Sequence, residues 1–176
     1  MIKRTDLIAG MILSIVALVM QIAMFFVGAK DILKYLSAVA AALAALCSFI
    51  YYFNGGIKKS AMWRTMFCIL LSISLLLSFI RAIQTGRGAI NVVCLFLTFA
   101  ITAYLSFAKD LGKTNSIRLA SVVVFLQIIT IISELNGPGS VKTPKLLGIL
   151  SSTTLVLLLL GTTYIKYYDK EQRGQK

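Results

Sequence analysis

Six long stretches of this chain contain no charged residue, and a charged side chain marks both ends of each stretch. The bracketing pairs are Asp6 and Lys30, Lys34 and Lys58, Arg64 and Arg81, Arg87 and Lys109, Arg118 and Glu134, and Lys145 and Lys166. A helix needs about 20 apolar residues to cross the hydrocarbon core of a bilayer. The pattern therefore predicts six transmembrane helices, which we place at about 7–29, 33–53, 62–81, 89–108, 117–134 and 146–166.

The spanning segments are expected to be helices rather than strands. In lipid an open strand leaves its backbone N–H and C=O groups unpaired, whereas a helix satisfies them within one segment. A transmembrane barrel would show alternating polarity, but these stretches are apolar on all sides. The predicted fold class is therefore all-α: a polytopic membrane protein with six transmembrane helices in one bundle.

Composition supports a membrane protein and leaves no room for a separate soluble domain. The 176 residues are 59% hydrophobic and 14% charged, whereas soluble domains are about 25% charged. The mean hydropathy is +0.89, and a soluble chain of this length could not bury so much apolar surface. We predict a single transmembrane domain over residues 1–176. The first stretch, Leu7 to Ala29, exceeds the about 7–15 apolar residues of a signal peptide, so we expect a retained span.

The basic residues predict the orientation, because Lys and Arg accumulate on cytoplasmic loops. Of the 18 basic residues, 12 fall on the side that carries both termini. The other side holds six, namely Lys30, Lys34, Arg81, Arg87, Lys142 and Lys145. Both termini are therefore expected in the cytoplasm, with the plasma membrane as the expected location.

The net charge of +12 does not indicate nucleic-acid binding. The basic residues stand in small groups at the membrane edges, without a continuous basic surface or an aromatic-lined groove. Anionic lipid headgroups at the cytoplasmic face are the expected partner, at about 1 kcal/mol per basic residue near the surface. A partner subunit or a homo-oligomer is a further possibility.

Three packing expectations follow from residue type. Amphipathic rings prefer the headgroup level, which predicts an anchoring belt at the cytoplasmic ends from Tyr51, Tyr52, Trp63, Tyr104, Tyr164, Tyr167 and Tyr168. Small residues at a spacing of four let helices approach closely, so Ala38, Ala41, Ala42 and Ala45 should face inward. Leu155 to Leu160 has no such face and is expected to meet lipid.

The third and fifth spans are short between their charges. Sixteen uncharged residues separate Arg64 from Arg81, and as a helix they cover about 24 Å of a ~30 Å core. Either these arginines, with Arg118 and Glu134, extend to the interfaces, or the helix ends lie in a wet region lined by protein. Glu134 fits the first alternative poorly because its side chain is short.

The residue inventory argues against catalysis. The chain has no His, which excludes His-ligated metal or haem sites. Its cysteines, Cys47, Cys68 and Cys94, form no Cys-x-x-Cys pair and are expected to be apolar filler. We find no nucleophile–base pair and no phosphate-binding loop, and no ionisable residue in mid-membrane. We therefore expect no catalytic residue, no cofactor and no bound metal.

Neutral polar residues are more frequent toward the predicted outer face. Both intramembrane glutamines lie in the outer halves of their spans, whereas the inner halves contain no carboxamide. Polar groups that converge in an apolar pocket are typical of a small-molecule site. The candidate solute-binding residues are Gln21, Ser74, Ser78, Arg81, Asn91, Gln127, Thr130, Glu134, Ser152 and Thr153.

Two functions remain open. The first is a transport component that binds or conducts a small solute through an outward-opening polar cavity. The second is a non-catalytic membrane subunit or scaffold, in which the glutamines make only interhelical hydrogen bonds.

In span count and polar gradient the chain is similar to the substrate-binding S components of energy-coupling-factor transporters. The resemblance implies a solute site near the outer face. No motif is shared residue by residue, and the first outer connection, Gly28 to Lys34, is shorter than in that family. The resemblance is therefore one of architecture.

Overall fold

The computed structural model describes residues 4–27, 31–55, 61–107, 112–136 and 143–174, and within these ranges the chain is all-helical. The helices are α1 (Arg4–Phe26), α2 (Ile32–Phe53), α3 (Ala61–Gln84), α4 (Ala89–Phe107), α5 (Lys113–Asn136) and α6 (Thr143–Gly174). Each of these six is long and apolar enough to cross a membrane. The prediction of six helices that are each able to span a membrane is confirmed.

The helices pack side by side in a closed ring. Each contacts its neighbours in the chain, and α6 returns to contact α1. Consecutive helices run in opposite directions, since the start of α2 meets the end of α3 through Ser37 and Ser78. We call the end of the ring where α1, α3 and α5 end and α2, α4 and α6 begin the upper end, and the opposite end the lower end.

Local sequence explains several helix ends. Asp31 is the N-cap of α2, and its Oδ1 accepts a hydrogen bond from the backbone N–H of Leu33 at 3.0 Å. Capping by Asp satisfies a donor that the first helical turn leaves unpaired. At the other end of α2, Asn54 is the C-cap and Gly55 follows at φ 68°. Glycine adopts this left-handed conformation without steric cost.

The lower half of α6 lies closer to the axis of the ring than a regular position would place it. Besides its neighbours α1 and α5, α6 contacts α2 and α3. Its side chains there are buried, including Leu155, Val156, Leu158 and Leu159. The expectation that Leu155 to Leu160 faces lipid is therefore wrong for these four residues, whereas Leu157 is 42% exposed and Leu160 is half-buried.

Tyr52 fills the space between α1, α2 and α6 at the lower end. Its ring lies against Gly10, and its hydroxyl is 2.5 Å from the place that a Cβ at Gly161 would occupy. Tyr51 is likewise buried, at 1% exposed, against 3% for Tyr52. These two tyrosines are interior packing residues and not interfacial anchors, which corrects the sequence-based expectation.

The remaining aromatic and small residues fit their predicted environments better. Tyr104 and Tyr164 are about half exposed, at 57% and 48%, as anchoring rings should be. Tyr167 and Tyr168 lie outside the described side chains. In α2 the alanine face turns inward as expected, with Ala38, Ala41 and Ala45 buried and Ala42 half-buried.

The four charges that bracket the short spans have three different environments. Arg64 is buried at 5% exposed, and its Nη2 donates to Thr163 Oγ1 on α6 at 3.4 Å. Arg118 is exposed. Arg81 and Glu134 face the interior at the upper end. Helices α3 and α5 continue past their charges to 24 residues each, so both are long enough to span.

The contact between Tyr52 and Gly161 yields a stability prediction. Gly161→Ala should lower the melting temperature of the purified protein in detergent, because the new Cβ meets the Tyr52 hydroxyl and overpacking costs about 1–3 kcal/mol. Adding Tyr52→Phe removes that hydroxyl and should restore most of the loss. Tyr52→Phe should not rescue Gly10→Ala, because the atoms that the new Cβ meets there are carbons of the Tyr52 ring, which Phe retains.

Gly148→Ala is the matched control for this experiment. The nearest atom to a Cβ there is Met24 Cε at 3.9 Å, an ordinary contact, so the variant should melt at or above the parent. Equal melting of Gly161→Ala and parent, or rescue of both glycine variants by Tyr52→Phe, would contradict the described packing.

Candidate functional site: a polar cavity in the upper half of the bundle

A cavity of about 470 Å³ lies inside the ring, with residues from all six described helices in its wall. Charged side chains from the helix ends surround its upper part, which we call the mouth: Lys34, Arg81, Arg87 and Glu134. The wall extends down to Thr102 and Leu159. The cavity therefore ends where α6 moves toward the axis.

A run of hydroxyls on α6 joins the cavity wall to α1 and α5. The side-chain amide of Gln21 donates to Ser151 Oγ. From the opposite side, the amide of Gln127 donates to Ser152 Oγ at 2.7 Å and to Thr153 Oγ1 at 3.4 Å. The two glutamines thus hold α6 between its neighbours. Neither side-chain carbonyl accepts a hydrogen bond from a described residue.

Three serines join α2 to α3 on the other side of the cavity. Ser37 Oγ lies 2.9 Å from Ser78 Oγ and 3.1 Å from Ser74 Oγ. Ser74 Oγ also donates to the backbone carbonyl of Ser37 at 3.0 Å. These hydroxyls make interhelical contacts and present polar groups to the cavity at once.

Asp31 fixes the guanidinium of Arg81 at the mouth. Arg81 Nε donates to Asp31 Oδ2 at 2.7 Å, while Asp31 Oδ1 caps α2. Each carboxylate oxygen of Asp31 therefore accepts a hydrogen bond from a different group. The pair is partly exposed, at 23% for Arg81 and 31% for Asp31, so we assign it at most about 1 kcal/mol of stability.

A second ion pair at the mouth joins the turn before α4 to α5. Arg87 Nη1 donates to Glu134 Oε1 at 3.0 Å, and Asn91 Nδ2 lies 3.4 Å from the same oxygen. Asn91 is buried, and its Oδ1 has no hydrogen-bond partner among the described residues. Lys34, on the α2 side, donates from Nζ to the backbone carbonyl of Val27.

The structure brings most of the candidate residues together. Eight of them line the cavity: Gln21, Ser74, Ser78, Arg81, Gln127, Thr130, Glu134 and Ser152. Thr153 bonds Gln127 and Asn91 bonds Glu134, but neither belongs to the wall. Their role in solute binding stays a prediction.

Sequence reasoning missed seven polar residues of this region: Asp31, Lys34, Ser37, Arg87, Thr98, Thr102 and Ser151. Lys34 and Arg87 looked like topology signals rather than parts of a site. A signal was present, because Lys34 and Ser37 are three residues apart in α2 and so share a face. In the part of the chain that the structure describes, no three His, Cys, Asp or Glu side chains group together as metal ligands.

No protein-family model matches this chain, and neither a curated protein nor a solved structure matches it.

The double use of Asp31 gives a prediction with two substitutions. Asp31→Asn removes the charge but keeps a good capping residue, whereas Asp31→Ala removes both the ion pair and the cap. Loss of an N-cap costs about 1 kcal/mol. Asp31→Ala should therefore melt clearly below Asp31→Asn, and Asp31→Asn only slightly below the parent, as measured by thermal unfolding in detergent. Equal melting of the two variants would show that the cap is unimportant.

Proposed function

We propose that this protein is a transport component of a membrane, which binds or conducts a small solute through the cavity in the upper half of its bundle. The observation that carries the proposal is a cavity of about 470 Å³ with hydroxyls, two carboxamides and a charged mouth in its wall. Small-molecule sites are typically about 300–1,000 Å³, largely apolar, with a few converging polar groups.

The proposed solute contacts follow from the unused hydrogen-bonding capacity of the wall. Gln21 and Gln127 each donate an amide N–H to a serine hydroxyl of α6, which leaves each carbonyl oxygen as an acceptor for a solute donor. Ser78 and Thr130 add hydroxyls at other heights of the wall. The protein is proposed to act without covalent chemistry, cofactor or metal.

For the orientation, we propose that the mouth opens to the outside and both termini lie in the cytoplasm. The excess of basic residues on the side of the termini supports this placement, and the plasma membrane is the proposed location. The basic residues of that side would contact anionic lipid headgroups.

The second candidate is a non-catalytic subunit or scaffold that assembles with itself or a partner. The observation in its favour is that both glutamines already bond hydroxyls of α6, as interhelical contacts in a bundle without ligand would. It differs from the first in requiring no solute, so substitution of the cavity wall distinguishes the two.

Gln21→Leu and Gln127→Leu test the transport proposal. Each removes a solute acceptor, while the interhelical bond it loses is worth only about 0.6 kcal/mol, so both variants should still fold. Small molecules that co-purify with the parent, identified by mass spectrometry after denaturation, should fall at least about tenfold in each variant.

Gln84→Leu is the matched control, because Gln84 is exposed at the end of α3 and does not line the cavity. It should retain the co-purified molecules. The same small molecules in equal amount from parent, control and both cavity variants would contradict the proposal and favour the scaffold.

A pair of cysteine substitutions tests the proposed orientation. The native cysteines are buried and are replaced by Ala. Thr85 and Thr114 are exposed at the upper and lower ends respectively. In intact cells a membrane-impermeant thiol reagent should label Thr85→Cys, and it should label Thr114→Cys only after the membrane is permeabilised. The reverse pattern would invert the topology.

A further inference from the structure

The charges at the mouth are not evenly distributed around it. On the α4–α5 side, Arg87 and Glu134 pair and cancel. On the α2–α3 side, the described residues place Lys34 and Arg81 beside one carboxylate, that of Asp31. The positive excess of the mouth therefore lies beside α2 and α3.

Arg81 keeps most of its donors available to the cavity. A guanidinium has five N–H groups, and Asp31 takes only the one on Nε. For the two terminal nitrogens of Arg81, the described residues supply no hydrogen bond. Because Asp31 also caps α2, its position is fixed, and it holds the guanidinium of Arg81 through Nε. Its terminal nitrogens form the planar pair of donors that binds carboxylate groups in bidentate fashion.

Hydroxyl groups continue the site below these cations. Ser78 precedes Arg81 by three residues on α3, and Ser37 follows Lys34 by three on α2, so each lies one helical turn further into the ring. The two serines are within 2.9 Å of each other. The α2–α3 wall thus presents two cations above two hydroxyls.

The cavity offers no comparable site for a cation. The described carboxylates at the mouth, Asp31 and Glu134, each accept from an arginine. Below the mouth, the wall contains only neutral side chains among the residues that the structure describes. A cationic group would therefore meet a net positive mouth and find no counter-charge deeper in the cavity.

We infer that the solute carries a carboxylate or a comparable singly charged anionic group, which Arg81 and Lys34 bind at the α2–α3 side of the mouth. This inference rests on the proposed function and specifies its solute class. Arg81 supplies the bidentate contact, Asp31 positions it, and the uncharged remainder of the solute extends toward Gln21 and Gln127.

A cysteine in the wall measures the potential there without knowledge of the solute. Ser78→Cys is placed in the background without native cysteines. The protein is reacted in detergent with two methanethiosulfonates, one carrying an anionic sulfonatoethyl group and one a cationic trimethylammonium-ethyl group. The rate of each reagent with the protein is divided by its rate with free 2-mercaptoethanol. A cleft lined by one sign of charge raises the association rate of a reagent of the opposite charge about tenfold or more. The normalised rate of the anionic reagent should therefore exceed that of the cationic reagent by at least this factor.

Arg81→Gln in the same protein should bring the ratio of the two rates close to one. Arg118→Gln is the matched control, since Arg118 is exposed at the lower end and should leave the ratio unchanged. If the anionic preference is absent or survives Arg81→Gln, the anion site is wrong while the open cavity stands. If neither reagent reacts with the folded protein, the cavity is closed and the proposed function fails as well.

Protection experiments separate a solute carboxylate from other anions. At equal ionic strength, acetate should slow the reaction of Ser78→Cys at least about twofold and acetamide should not, because only acetate carries the charge that Arg81 binds. Equal effects of the two, or none, would overturn the assignment. In nanodiscs, loss of the anionic reaction when phosphatidylglycerol replaces phosphatidylcholine would assign the site to a lipid headgroup and overturn a soluble ligand.

Discussion

The position of α6 determines where this bundle is packed and where it is hollow. A regular ring of helices in contact leaves an axial space about as wide as one helix, because neighbouring axes are about 8–10 Å apart. At the lower end α6 occupies part of that space. The absence of a side chain at Gly161 lets Tyr52 lie against it, and Leu158 and Leu159 are fully buried there. At the upper end no helix moves inward, so the axial space persists as the cavity.

Polar contacts then decide what the hollow end can do. Apolar burial does not drive helices together in lipid, where the surroundings are as apolar as the side chains, so hydrogen bonds and close packing must hold the ring. The bonds from Gln21 and Gln127 to α6, and the serine cluster between α2 and α3, do this at the height of the cavity. The same groups give the cavity its polar wall, so the residues that hold the helices together also line the cavity.

The arrangement of spans was largely readable from the sequence, because charge is costly in hydrocarbon and each uncharged stretch had to cross it. The predicted bounds were closest to the observed helix ends for α2 and α4. They were too short for α3 and α5, since Arg81 and Glu134 remain helical and find partners inside the mouth. The burial of Tyr51 and Tyr52, and of Leu155, Val156, Leu158 and Leu159, could not be predicted. It depends on α6 touching α2 and α3, a contact between distant parts of the chain that residue spacing does not encode.

Most of the polar wall of the candidate site was predicted, together with Arg81 and Glu134, but the other charged residues of the mouth were missed. Sorting polar residues by depth found eight residues of the wall, because the predicted topology places all of them in the same half of the bundle. Lys34 and Arg87 were taken only as orientation signals and Asp31 was not considered, since nothing local shows that helix ends converge on a common mouth. The pairs Asp31–Arg81 and Arg87–Glu134 became visible only with the ring closed, and they leave the positive excess of the mouth beside α2 and α3.

If the upper half of the bundle holds a water-accessible cavity rather than a dry core, the side-chain amides in its wall should exchange magnetisation with water. In lipid bilayers, solid-state NMR can follow magnetisation transfer from water to the amide groups of Gln21 and Gln127. Transfer to both amides should be as rapid as to the exposed end of α3 at Gln84. Transfer as slow as to the buried methyl groups of Leu158 and Leu159 would show a dry interior and contradict a water-accessible cavity.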